Sequence, residues 1–230
     1  MERYRGISWQ EIRIGAIVFD VDGTLTDSIE AYYEVFRDAT ARFGIHVKKE
    51  DVLEPMATGT LIWDRAIPMD MEDRDNKIKQ IGEVISEIFP KRFEQVQPFP
   101  GVEPVLKELK ERSLKLGVLT SSWASALRPL KSHSLDGYFD VLLSREDGFR
   151  PKPSPEGMLR CFKRMGVNPE SSLVIGDSPV DIRSGKAAGA LTIGVLSGIG
   201  SREQLEAEAP TFIIETVGDL PAKLDLECLF

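Results

Sequence analysis

The sequence predicts an α/β fold: a doubly wound parallel sheet interrupted by a block of helices. Three observations predict it. Short, continuous apolar runs recur along the chain, as expected of strands buried on both faces. From residue 98 onward these runs alternate with amphipathic stretches of helical spacing. Residues 28–97 break that alternation and hold no clear strand run. A chain of 230 residues has room for one α/β core and a modest insert. The expected division is a Rossmann-like core of residues 1–27 and 98–230 with an α-helical insert at 28–97.

The elements follow in order. Ile14–Phe19 is the first strand run, succeeded by Leu116–Leu119, Val141–Leu143, Leu173–Ile175, Leu191–Val195 and Phe212–Ile214. Inside the insert, Ile29–Phe43 and Arg74–Phe89 read as long helices and Glu50–Met56 as a short one. Gln97–Gly101 carries two prolines and reads as the linker returning to the core. Val102–Arg112 places Val102, Val105, Leu106 and Leu109 on one helical face. Ser154 and Pro155 are expected to open a helix as N-cap and first helical residue, and Gly166 to close it. Ile182–Ala188 makes a further helix, ended by Gly189.

Composition narrows the function. Hydrophobic residues make up 42% and charged residues 29%, enough apolar material for a large core, which excludes disorder. The net charge of −8 argues against nucleic-acid binding, which draws on clustered Lys and Arg. The apolar run at Ile14–Phe19 is too short for a signal-peptide core or a membrane span, so a cytoplasmic protein without a membrane partner is expected. Cys161 and Cys228 show no Cys-x-x-Cys spacing, so neither a zinc site nor a redox pair is indicated. Ordinary thiols in a reducing compartment are expected, with a disulfide left open.

Carboxylates carry the chemical signal. Asp20-Val-Asp-Gly-Thr-Leu-Thr-Asp-Ser28 begins just past the first strand, at the sheet edge where open α/β folds bind ligands. On an extended chain Asp20 and Asp22 share a face, and Gly23 then permits a sharp turn. Thr120 ends the second strand and is followed by Ser121 and Ser122. Lys152 sits in Arg150-Pro-Lys-Pro153 after the third. Gly176-Asp-Ser-Pro-Val-Asp181 ends the fourth. Singly, each has an ordinary explanation: a capping aspartate, a strand-end threonine, a surface lysine. Together and in this order they resemble the haloacid dehalogenase-like hydrolases, in the branch of phosphoglycolate phosphatases and β-phosphoglucomutases with a small helical cap.

That resemblance implies roles. Asp20 would be the nucleophile and Asp22 a general acid/base. Thr120 and Lys152 would bind the transferring phosphoryl group, with Ser121 beside them. Asp177 would ligate a metal and Asp181 would position the metal or Lys152. Asp20 and the backbone carbonyl of Asp22 would complete the metal site. Four carboxylates facing one lysine would repel a phosphate dianion, so a divalent cation on hard oxygen ligands, Mg²⁺, is the expected cofactor. Thr-Ser-Ser at residues 120–122 departs from the Thr-Asn-Lys common in the family but keeps the hydroxyl.

By the same resemblance residues 28–97 form a cap that closes over the site. Its specificity loop is expected at Thr58-Gly-Thr60, making Gly59 and Arg65 candidate substrate contacts. Arg65 has two readings, a ligand for a substrate carboxylate or hydroxyl and a solvated helix residue. Trp63 also has two, cap core and substrate contact. His46 and His133 are not expected to take part in the chemistry. The partner implied is a small phosphate ester, with the chain acting as a monomer or homodimer. Competing readings are a phosphomutase that returns the phosphoryl group to a sugar, and a silent relative that only binds a phosphorylated ligand or a protein. A dehalogenase is disfavoured because that branch has no use for Asp22 or a metal.

Overall fold

In the computed structural model, residues 14–226 are described; Cys228 and the first thirteen residues of the expected core lie outside them. Six parallel strands form one sheet in the order β3-β2-β1-β4-β5-β6. They are β1 (Ala16–Phe19), β2 (Lys115–Leu119), β3 (Val141–Leu143), β4 (Ser172–Gly176), β5 (Leu191–Val195) and β6 (Phe212–Ile214). β1 is central and pairs in register with both neighbours, Phe19 lying against Val118 on one side and Ile175 on the other. The winding direction reverses at the β1/β4 boundary, so the loops there splay apart and leave a crevice.

β1 feeds two apolar layers with the period of two that a pleat imposes. Ile17 and Phe19 join the cluster under α5 (Val102–Glu111), with Val105, Leu106 and Leu109. Ala16 and Val18 face the opposite layer with Met158, Cys161 and Phe162, under α7 (Glu156–Met165), which the short α6 (Arg128–Ser132) precedes in the chain. α8 (Pro179–Ala188) follows β4 and packs on β4 and β5.

The insert has its own apolar cluster. α1 (Ile29–Ala41), α2 (Lys49–Thr58), α3 (Ile62–Ala66) and α4 (Arg74–Phe93) surround Val35, Phe36, Ile81, Ile85, Phe89 and Phe93. Tyr32 meets Phe89 and Phe93 edge-on, at centroid distances of 5.3 and 5.0 Å. The chain enters and leaves the insert along paired linkers: Asp27 N–H donates to Gln97 O at 2.9 Å and Phe99 N–H to Leu25 O at 3.0 Å.

Several element bounds differ from expectation. α4 runs on to Phe93 because Phe89 and Phe93 continue its buried face, and Pro90 is accommodated within it. α8 begins at Pro179, earlier than expected, with Pro at its first position. α7 begins at Glu156, with Pro155 in the capping position; Ser154 Oγ still accepts the Glu156 N–H at 3.3 Å. α3 has no counterpart among the expected helices, since five residues are too few to show a period. Cys161 is a buried free thiol. Among the described residues no helix is long and apolar enough to cross a membrane.

Candidate active site

The site forms where β1, β2 and β4 end. Asp20 extends the sheet ladder, its N–H donating to Ile175 O at 2.8 Å, so its side chain emerges beside the end of β4. The chain then doubles back: Val21 O accepts the N–H groups of Thr24, Leu25 and Thr26 at 3.3, 2.8 and 3.0 Å. The tight turn that Gly23 was expected to allow is present, with φ of +79° at that residue.

The buried Lys152 ammonium links the motifs. Nζ donates to Asp20 Oδ1, to Asp181 Oδ1 at 2.5 Å and to Leu119 O at 3.3 Å. Its loop is held by Ser121, whose Oγ accepts the Lys152 N–H at 3.1 Å. Ser121 thus positions Lys152 as well as lining the cavity. Asp181 also accepts from Ser178 N–H and Oγ at 3.2 and 2.5 Å, so the capping of α8 and the contact with Lys152 coincide in one carboxylate.

Asp177 is held by the loop after β5. Its Oδ2 accepts the Ile199 N–H at 2.7 Å, and its backbone carbonyl accepts Gly200 N–H at 3.0 Å. This needs very close backbone approach: a Cβ on Gly198 would fall 1.9 Å from Asp177 Oδ2. Oxygens of Asp20, Asp177 and Asp181 lie within 4.8 Å of one another, all buried. Hard oxygen donors converging at that separation fit a Mg²⁺-type cation. The Asp22 carboxylate stands apart from this group and is engaged elsewhere. Its Oδ1 accepts from Ser28 Oγ at 2.8 Å, and its Oδ2 from the Tyr32 hydroxyl at 3.0 Å and Thr120 Oγ1 at 3.3 Å.

The electrostatics separate the carboxylates. Burial drives the Asp20 pKa upward; Lys152 opposes this, while Asp181, Asp177 and Asp22 add to it. Burial pushes Asp177 up to about 7, with Asp181 contributing, against the Ile199 N–H and Lys152. Asp22 rises to about 6, again through burial, restrained by Ser28, Tyr32, Lys152 and Thr120. Burial alone would lower the Lys152 pKa, but Asp181 and Asp20 outweigh it and raise it. Raised pKa values at Asp20, Asp22 and Asp177 are the behaviour of a buried site built for positive charge.

Above these groups lies a cavity of about 530 Å³. Asp20, Asp22, Thr120, Ser121, Lys152, Asp177 and Asp181 line one end. Phe36, Met56, Gly59, Leu61, Ile62, Trp63 and Ile78 of the insert line the other. Gly59 is the left-handed residue between α2 and α3, near Val180, Pro153 and the Lys152 carbonyl. Trp63 packs 5.7 Å from Phe36 in the apolar cluster of the insert, and it also lines the cavity. Arg65 does not line the cavity: its guanidinium pairs with Glu54 and lies 3.6 Å from Asp51, so the structure favours the surface reading. His133 bonds Pro129 O and Gln97 Oε1 away from the site.

Sequence reasoning missed Tyr32, Trp123, Arg145 and Ile199. Tyr32 was discoverable, since it lies one helical turn beyond Ser28 and so shares its face. Ile199 follows the carboxyl end of β5, where the sheet rule also applies.

Comparison with known proteins agrees with this architecture. The haloacid dehalogenase-like hydrolase pattern matches residues 17–195, and the chain belongs to that family. The pyrophosphatase PpaX of Bacillus velezensis is 30% identical over 210 residues, covering 90% of this chain and 95% of its own. The phosphoglycolate phosphatase of Escherichia coli is 27% identical over 235 residues, covering 93% of each chain. A hydrolase from Pseudomonas syringae superposes with a TM-score of 0.80 at 26% identity, over 92% of this chain and 98% of that one. The protein is thus an enzyme, a hydrolase of the phosphatase kind.

Proposed function

We propose that the protein is a Mg²⁺-dependent phosphatase acting on a small phosphate monoester, of the phosphoglycolate or sugar phosphate class, through an aspartyl-phosphate. The observation that carries this reading is the division among the buried carboxylates. Asp20, Asp177 and Asp181 converge on one point, whereas Asp22 is held apart by hydroxyls with a pKa near 6. Asp20, Asp177, Asp181 and the Asp22 carbonyl would hold the cation, which offsets phosphate charge and polarises a phosphoryl oxygen.

The chain's own groups would do the rest. Asp20 attacks phosphorus in line while the leaving oxygen takes the proton of Asp22. Asp22 then accepts a proton from the water that cleaves the phosphorylated Asp20. A carboxyl titrating near neutrality suits both halves of that exchange. Thr120 and Lys152 donate to the equatorial oxygens. Residues 28–97 serve as the cap, moving on the paired linkers to exclude water, with Gly59 in its specificity loop. The cytoplasm is the compartment this reading assigns.

Phosphate release from phosphoglycolate, sugar phosphates, nucleotides and an aryl phosphate tests the proposal, with and without Mg²⁺. Release should require the metal and be lost in Asp20→Asn. Full activity in excess chelator would refute the metal's role. Isomerisation of a hexose phosphate without phosphate release would assign a phosphomutase instead.

A further inference from the structure

We infer that Arg145 is a specificity-determining residue, selecting phosphate esters whose leaving group carries a second anionic oxygen group. This deepens, and rests on, the phosphatase reading. The cavity has two cationic side chains in its lining, Lys152 and Arg145. The Lys152 charge is taken up by Asp20 and Asp181. Among the described residues no carboxylate pairs with Arg145. The neighbouring Glu146 carboxylate is committed elsewhere, accepting from Ala124 N–H at 2.8 Å and Ser144 Oγ at 3.0 Å.

Arg145 is nevertheless held in place. Its backbone N–H donates to Ser122 O at 2.9 Å, tying it to the loop that presents Thr120. Its guanidinium lies 5.5 Å from the centroid of the Trp123 ring, and that ring packs 5.4 Å from Phe89 of the insert. An arginine stacked on an aromatic wall keeps its N–H donors free for a planar oxyanion. Ile62 and Ile78 elsewhere in the lining offer no hydrogen-bond partner, so a sugar hydroxyl lodged against them would be left unbonded. A carboxylate or a second phosphate on the leaving group, presented to Arg145, avoids that cost. Within the proposed class, an acid-bearing ester is therefore favoured over a neutral sugar phosphate.

Matched aryl esters test this: phenyl phosphate, 4-carboxyphenyl phosphate, 3-carboxyphenyl phosphate and 1,4-phenylene bisphosphate. In the unmodified enzyme with Mg²⁺, kcat/KM for at least one doubly anionic ester should exceed that for phenyl phosphate by about tenfold or more. Whether a carboxylate or the second phosphate gives the larger ratio identifies the group. Arg145→Ala should bring that ratio to near one, and Arg145→Lys should retain part of it. No charge preference in the unmodified enzyme, or a ratio unchanged in Arg145→Ala, would overturn the inference while leaving the phosphatase reading intact. No turnover of any ester, including those of the earlier panel, would overturn both.

Discussion

Asp22 is set by its neighbours as much as by its place in the chain. The Tyr32 hydroxyl reaches it from the helical insert, and its ring is fixed against the stacked pair Phe89 and Phe93. Tyr32→Phe keeps that packing and removes one hydrogen bond from the proposed acid/base. It should lower kcat by about tenfold with little change in KM, measured by steady-state kinetics on the best ester. A change confined to KM would mean that the hydroxyl holds substrate and does not position Asp22. Cys161 has the opposite character. Its Sγ lies 3.8 Å from Val118 O, and burial pushes the thiol up to about 12. It should resist iodoacetamide in the native protein and react once the chain is unfolded, as peptide mass spectrometry would show. Asp20, Asp22, Thr120 and Asp177 were legible because each sits at or just past a strand end in a recognisable string, and Lys152 because two prolines flank it in the loop after β3. Arg145 and Trp123 were not, because only tertiary packing brings them to the cavity.

At the scale of elements, the α2–α3 turn joins insert to core. Gly59 has φ of +80°, and a Cβ there would lie 3.0 Å from Val180 Cγ1 and 3.2 Å from Pro153 Cδ. Arg183 on α8 secures the same turn, its Nη2 donating to Thr58 O at 3.0 Å. Gly59→Ala should therefore cost roughly 1 to 2 kcal/mol of backbone strain. It should also raise KM, since the turn lies over the Lys152 loop; a urea titration and initial rates would check the two effects. Helices with a sustained apolar stripe were readable from sequence, as were the ends that Gly166 and Gly189 mark; ends set by tertiary packing were not. α4 gains its last turn from Phe93 packing inside the insert, a contact that local periodicity does not encode.

Across the whole molecule, Asp140 links three parts of the core. Its carboxylate accepts from Lys110 of α5 at 2.9 Å, Lys115 of β2 at 3.2 Å and the Leu116 N–H at 2.9 Å. Partial burial works against its charge, but these donors outweigh it and hold its pKa below 3.8. A lowered folded-state pKa stabilises the fold above the unfolded value, and that stability fades as pH falls through the folded value. Asp140→Asn should therefore cost about 1 kcal/mol at pH 7, a modest figure because the pairs are partly solvated. The difference from the unmodified protein should shrink below pH 4, as thermal melts across that range would report. The presence of a parallel sheet was evident from its buried apolar runs. The strand order was not, since it depends on pairings between distant segments.

The central position of β1 has a kinetic consequence. This strand leaves the ribosome well before its partners, which begin only at Lys115 and Ser172. Until both have been synthesised, Ile17, Val18 and Phe19 have no sheet to join, and Asp20, the proposed nucleophile, has no fixed orientation. The helical insert, whose α1 packs on α4, depends on much shorter loop closures and can condense first. Pulse-labelled hydrogen exchange during refolding should find the amides of α1 and α4 protected before those of β1. The helical wall of the cavity would then be in place before its floor of strand ends.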